Sequence, residues 1–524
     1  MKIDEVGYDD PKTWELYHNG RTKGVFQLES NLGRHWAKAV KPNNIEELAA
    51  LVSIIRPGTL KATIDGKSLT QIYVDRKHGV EPVTYIDECL EPILKKTQGI
   101  LVYQEQAMQI AQKLAGFSEG EADVLRKAIG KKKADLMAKV RTDFINGCET
   151  VGMVDTKTAE EIFGWIEKSA RYSFNKSHAV AYAVNSYWSA YYKANYPIHF
   201  FVAYLRYANE KQDPHQEVYE LCADAKTFDF DFKTPRIVEF RPEFYSDGQT
   251  INFGIKNVKS LTNVNGNKAI ESLEKLRQEM EGDLSKISWM DILIHYSTEI
   301  NATCFKTLAY IGFFRGISEI VSRNKALYEY DIFKRLTKAE LAWITKNYSE
   351  YGWKTLRECF TDLAPTKKEG GGTSKEARKQ VILNEIKMLD NPPYSLDDDP
   401  GWVIEQENKF LGCPVSMSRI DSIDIAGCNT TCKEILDGKV GKNIRIAANI
   451  VRVANHKIKK EGQNFGKEMS FLTIEDSTSV LDSVVIFPGE REENKYSLYE
   501  NNNVVIHGNI GDKGSLVVEK MFEV

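Results

Sequence analysis

The sequence predicts a multidomain α+β chain, mostly helical over its first 440 or so residues and closing in a small β-barrel over its last 80 or so. Three observations predict it. Apolar residues recur at helical spacing through the long first part, as at Ala107, Ile110, Ala111 and Leu114. After Asn443 the period changes to two, with Ile444, Ile446, Ala448 and Ile450 alternating with polar or small residues. The 524 residues are enough for about three or four domains.

Composition narrows the class. With 42% hydrophobic and 27% charged residues the chain is globular, and no run of about 18 apolar residues marks a membrane span. The acidic start, M-K-I-D-E-V-G-Y-D-D, lacks the apolar core of a signal peptide, so a cytoplasmic location is expected. Eight scattered cysteines suit a reducing compartment, and the one close pair, Cys428 and Cys432, reads as structural. The net charge of −4 carries no global mark of nucleic-acid binding, so such binding must come from local patches.

Taken in order, Gln104 to Leu114 reads as an amphipathic helix stopped by Gly116. A basic run follows between Asp123 and Arg141, with Arg126, Lys127, Lys131, Lys132, Lys133, Lys139 and Arg141 against Asp123 and Asp135; a solvated helical face is its plain alternative. The cluster Asn175-Lys176-Ser177-His178 then opens a helix that Pro197 ends. A helix start offers unpaired N–H groups and partial positive charge, so an anion is expected there, gripped by the lysine and histidine. The aromatic stripe Tyr182, Tyr187, Trp188, Tyr191 and Tyr192 reads mainly as core, with one or two rings free to stack on a base.

Residues 211 to 250 loosen around Pro214, Pro235 and Pro242, which predicts a boundary or an ordered connector. A second helical region follows, in which Leu261 to Gly266 reads as a hairpin between helices. The stretch Pro365 to Glu376, containing T-K-K-E-G-G-G-T-S-K-E, has the composition of a flexible linker or exposed loop, and Asp397 to Pro400 is another break. Five short strands from Asn443 onward form a small barrel, for which an oligonucleotide-binding barrel is a common solution. Its first long loop interleaves Lys457, Lys459, Lys460 and Lys467 with Phe465, as single-strand binders do; a solubilising hairpin tip is the equal alternative.

Six motifs in one order carry a resemblance. V-F-Q-L-E-S at 25–30, I-I-R-P-G at 54–58, D-R-K-H-G at 75–79, G-I-L-V-Y-Q-E-Q-A-M-Q-I-A at 99–111, L-R-K-A-I-G-K-K-K at 125–133 and F-N-K-S-H-A-V-A-Y-A at 174–183 resemble the bacterial C-family replicative DNA polymerases. Residues 302–316 resemble the second helical repeat after that family's fingers, 408–414 its connector and 443–524 its oligonucleotide-binding domain. The resemblance implies fingers over 1–210, a tandem helix-hairpin-helix, clamp-proximal domain over 211–420 with a linker near 365–376, and the barrel domain over 421–524.

It further implies that incoming dNTP and template are held by Arg126, Lys127, Lys131, Lys132 and Lys133, with Asn175, Lys176, Ser177 and His178 at the nucleotide phosphates. Arg56, Arg76 and Lys77 are secondary candidates; Gln104 and Glu105 are equally readable as packing polars. On the barrel, Lys457, Lys459, Lys460, Phe465 and Lys467 are the DNA-binding candidates. The family binds two Mg²⁺ ions with three palm aspartates that precede V-F-Q-L-E-S. Only 24 residues precede it here, and Asp4, Asp9 and Asp10 fall in the entry to the fingers, so no catalytic residue is assigned.

The expected partners are a DNA primer-template, dNTP, a palm-bearing polymerase chain and a sliding clamp, with no membrane. For the clamp, Gln380-Val381-Ile382-Leu383 is the nearest but poor match, and the tail that docks a clamp loader is not expected. Asn263-Val264-Asn265-Gly266 departs from the family's glycine-x-glycine hairpin, which puts direct phosphate contact there in doubt. The expected activity is template-directed nucleotidyl transfer with the palm supplied in trans. The alternative is a nonenzymatic single-strand-binding accessory protein or a truncated polymerase remnant.

Overall fold

The computed structural model describes residues 3–64, 66–131, 134–169, 172–261, 264–420, 426–459, 462–511 and 514–524. Compact units span residues 1–200 and 201–524.

In the first unit, helix α1 (Ile45–Ile54) is capped by Asn44, whose side chain accepts from the Glu47 N–H at 2.9 Å. Helix α2 (Gln104–Ala115) buries Ala107, Ile110, Ala111 and Leu114 and stops at Gly116, which takes the left-handed φ of 67° that a helix end needs. Around it pack α3 (Glu119–Lys131), α4 (Ala134–Val151) and α5 (Thr156–Ser169), with Phe144 and Phe163 in ring contact at 5.3 Å in their shared core. Each such buried large apolar side chain contributes about 1.5–3 kcal/mol, more than the intrinsic propensity of any one residue here.

Helix α6 (Lys176–Asn195) packs against α1. Of its aromatic stripe, Tyr187 is fully buried, while Tyr182, Trp188, Tyr191 and Tyr192 are half-buried. Pro197 begins the next helix, where its missing N–H costs nothing.

The second unit contains the helices α7 (Val264–Glu279), α8 (Ala302–Tyr310), α9 (Arg323–Phe333), α10 (Lys338–Tyr351), α11 (Glu376–Asp390) and α12 (Pro400–Leu411). The hairpin expected at Leu261 to Gly266 lies partly outside the described residues, at 262 and 263; a single turn, Ile255–Asn257, precedes it. Gly266 is required for close approach, since a Cβ there would lie 1.8 Å from the Leu261 carbonyl oxygen. A buried lock joins α9 to α12: the Arg323 guanidinium donates to the Tyr310 carbonyl at 2.8 Å and to Glu407 at 2.6 Å. The same Glu407 carboxylate accepts the Val415 and Ser416 N–H groups.

The stretch Pro365 to Glu376 is not a flexible linker. Gly371, Gly372 and Thr373 are buried, and Thr373 donates its hydroxyl to the carbonyls of Ala364 and Pro365. A Cβ on Gly372 would sit 2.4 Å from Leu363 and 2.8 Å from Trp343, so these glycines serve packing, which composition alone reads as looseness.

The chain closes in a five-stranded barrel of β1 (Ile444–Lys457), β2 (Glu468–Glu475), β3 (Val480–Ile486), β4 (Asn503–Ile510) and β5 (Leu516–Glu523). Its order is β5-β3-β2-β1-β4, with β4 and β5 antiparallel at the closure and β3 and β5 parallel. This is the expected oligonucleotide-binding topology. Ile444, Ile446, Ala448, Ile450 and their neighbours fill the interior, with Cys432 packed among them.

Candidate nucleotide and nucleic-acid sites

The turn into α6 is stitched to the start of α2. Phe174 donates its N–H to the Val102 carbonyl and accepts from the Gln104 N–H, both at 2.9 Å. Glu105 completes the join. Its carboxylate accepts from Asn175 Nδ2 at 2.8 Å and from the Lys176 backbone N–H at 2.9 Å, while Asn175 Oδ1 caps the His178 N–H at 2.9 Å. The anion expected at this helix start is therefore Glu105 itself, and two of the free N–H groups are already taken. The basic side chains around this turn are Arg56, Lys176 and His178.

Those side chains converge with aromatic rings. The Arg56 guanidinium lies 3.6 Å over the Phe174 ring, and burial pushes its pKa down, opposed by Tyr182. The His178 ring lies 4.0 Å from Tyr182 and 5.4 Å from Phe174, and Phe26 meets Tyr182 at 5.1 Å. The Lys176 ammonium sits 5.8 Å from the Tyr103 ring centroid. Ser177 and His178 are exposed. Arg56, Lys176 and His178 thus share one cationic and aromatic surface.

The other basic candidates sit differently. Arg126 and Lys127 on α3 both grip Asp123, at 2.8 and 2.7 Å, and these bonds hold the Asp123 carboxyl below its usual range. The Lys131 side chain and residues Lys132 and Lys133 lie outside the described residues. Arg76 donates to the Gln98 carbonyl and the Thr84 hydroxyl, both at 3.0 Å. Lys77 donates to the Lys41 carbonyl and Glu47, both at 2.8 Å, with its side chain 8% exposed. The donors of both are committed within the fold.

Of the glutamine-rich motif, Gln106 is the packing polar: it accepts from the Val102 and Tyr103 N–H groups and donates to Ile93 and Thr97. Sequence reasoning left Glu105 undecided. Its one signal was a carboxylate at the first turn of α2, and its partners lie 70 and 71 residues away.

Asp10 caps the helix Pro11–His18, accepting from Thr13 N and Oγ1 and from Asn195 Nδ2. Burial tends to raise its pKa, but these bonds outweigh it and the net shift is downward. Among the described residues no group of three or more His, Cys, Asp or Glu side chains is arranged to hold a metal; the Asp4 side chain lies outside the described residues.

On the barrel, Lys457, Lys459, Phe465 and Lys467 stand exposed at the β1–β2 hairpin tip, Phe465 at 61%; Lys460 lies outside the described residues. Gln380 to Leu383 lie within α11, with Ile382 fully buried. No described helix is long and apolar enough to cross a membrane.

Residues 1–152 match the bacterial DNA polymerase III alpha subunit finger domain. The chain belongs to the C-family of replicative DNA polymerases, and its homology to their alpha subunits runs well beyond the fingers. It is 32% identical to the DNA polymerase III subunit alpha of Aquifex aeolicus over 509 residues, 96% of this chain and 38% of that protein. Over 434 residues it is 39% identical to the Chlamydia trachomatis subunit, covering 81% of this chain and 31% of the relative. Over 280 residues it is 40% identical to that of Thermus aquaticus, covering 52% and 22%. The matched regions thus span 22–38% of the lengths of these relatives.

Proposed function

We propose that this chain is the fingers and DNA-binding portion of a C-family DNA-directed DNA polymerase, acting in DNA replication. It holds incoming dNTP and template while a palm on a partner chain supplies the Mg²⁺-binding aspartates. In this reading the fingers span 1–210, the helical helix-hairpin-helix domain 211–420 and the single-strand-binding barrel 421–524. The observation that carries it is the grouping of Arg56 and His178 against Phe174 and Tyr182, with Lys176 beside Tyr103. Cations there neutralise triphosphate oxygens and an adjacent ring supports a base. Arg126 and Lys127, already turned toward Asp123, reach phosphate only by leaving that carboxylate, and Lys131 to Lys133 extend the same basic run.

The test is equilibrium binding of a dNTP to the full chain and to Lys176→Ala and His178→Ala. Loss of a charge-assisted contact worth about 1.5–3 kcal/mol weakens binding by roughly tenfold or more. Oligonucleotide binding through the barrel stays unchanged. Unaltered dNTP affinity in both variants refutes the assignment; oligonucleotide binding with no dNTP binding by the wild type favours an accessory single-strand-binding protein.

A further inference from the structure

The barrel carries a second cationic feature, away from the hairpin tip. On neighbouring strands Arg445 pairs in register with His507, and His507 with Lys520, giving a row across β1, β4 and β5. The flanking residues Ile444, Ile446, Ile506 and Met521 are buried, so by strand alternation the row faces outward. A register shift between Val518 and Lys520 accompanies this placement of Lys520. The next outward residue, Phe522, is 47% exposed and its ring lies 5.1 Å from that of His507.

Arg445 and Lys520 stand on either side of His507, one strand away from it and two from each other. Among the described residues neither forms an ion pair. Glu519, the acid that acts on His507, accepts a hydrogen bond from Asn509. A surface selected only for solubility would mix the signs along such a row.

We infer that Arg445, His507 and Lys520 form a phosphate-binding row for single-stranded nucleic acid, with Phe522 as an adjoining base platform. The inference rests on the single-strand-binding reading of the barrel and adds a site distinct from the β1–β2 tip. Charge neutralisation along the row relieves the opposition of its cations, and a stacked base covers an exposed ring. Burial, then Arg445 and Lys520, push the His507 pKa down, while Glu519 opposes them. His507 is therefore mostly neutral at pH 7 and takes up a proton more readily once phosphate is bound. Strand affinity rises as pH falls below neutrality.

The experiment is binding of an oligodeoxythymidylate to the full chain by fluorescence anisotropy over about 50–200 mM salt. The variants are Arg445→Ala/Lys520→Ala, Lys457→Ala/Lys459→Ala and His507→Gln. With two phosphate contacts gone from the row, the log–log salt slope falls by about 1.4. The melting temperature of that variant holds or rises, which separates lost binding from lost fold. His507→Gln reduces the affinity gained on acidification. A row variant with wild-type slope, beside a tip variant with reduced slope, overturns this inference and leaves the barrel reading standing. No change in either variant, or no binding by the wild type, overturns both.

Discussion

Replacing Glu105 with alanine removes the carboxylate that ties α2 to the start of α6. Two charge-assisted hydrogen bonds go with it, from Asn175 Nδ2 at 2.8 Å and Lys176 N at 2.9 Å. Bonds to charged groups contribute about 1.5–3 kcal/mol each, and partial exposure here favours the low end, so the expected loss is about 3 kcal/mol. The Asn175 cap on the His178 N–H survives, so α6 keeps its start while the turn loosens. Denaturant unfolding reads the stability loss, and hydrogen exchange at the Lys176 amide reads its location. Nucleotide affinity supplies the sharper test, because two effects oppose. Deleting a negative charge strengthens anion binding by about 1 kcal/mol at 4 Å in water-like surroundings. Losing the turn's geometry weakens it. If Glu105 holds Lys176 and His178 in place, dNTP binding weakens in Glu105→Ala. Unchanged stability with tighter dNTP binding would show that the carboxylate only repels phosphate.

Three further outcomes follow from the packing. Arg323→Met leaves the fully buried Glu407 unpaired and should cost about 3–5 kcal/mol, read by urea unfolding; a loss under 1 kcal/mol would mean that the lock is slack. Gly372→Ala overpacks the contact with Leu363 and Trp343 and should cost about 1–3 kcal/mol, whereas a neutral effect would restore the flexible-loop reading. Glu369 is pulled down to about 2 by the Thr366 N–H first and then by Lys379. Its stabilisation of the 366–373 turn is complete above the ordinary carboxyl value and is lost as pH falls toward 2. An NMR titration of its side chain should inflect near 2, and an inflection near 4.5 would contradict the bond to Thr366.

Local signals were the legible ones. Asn175 and Gly116 mark a helix start and stop because capping acts within a few residues, and the two-residue beat marks the barrel because one face of each strand must be buried. What sequence left open depends on partners far along the chain. Arg76 and Lys77 read as free cations until the Gln98 and Lys41 carbonyls are placed against them. Gly371 and Gly372 read as slack until Pro365 and Trp343 are placed against them, and Glu105 reads as one more helix acid until Asn175 reaches it. The helix start at Asn175 was thus visible, and its join to Glu105 was not.

Mg²⁺-dependent primer extension with the purified chain, alone and mixed with a palm-bearing alpha-subunit segment, decides whether the palm acts in trans. Extension is expected only in the mixture, and it falls severely when the chain carries Lys176→Ala. Extension by the chain alone, or a mixture in which Lys176→Ala extends as fast as wild type, would contradict that expectation.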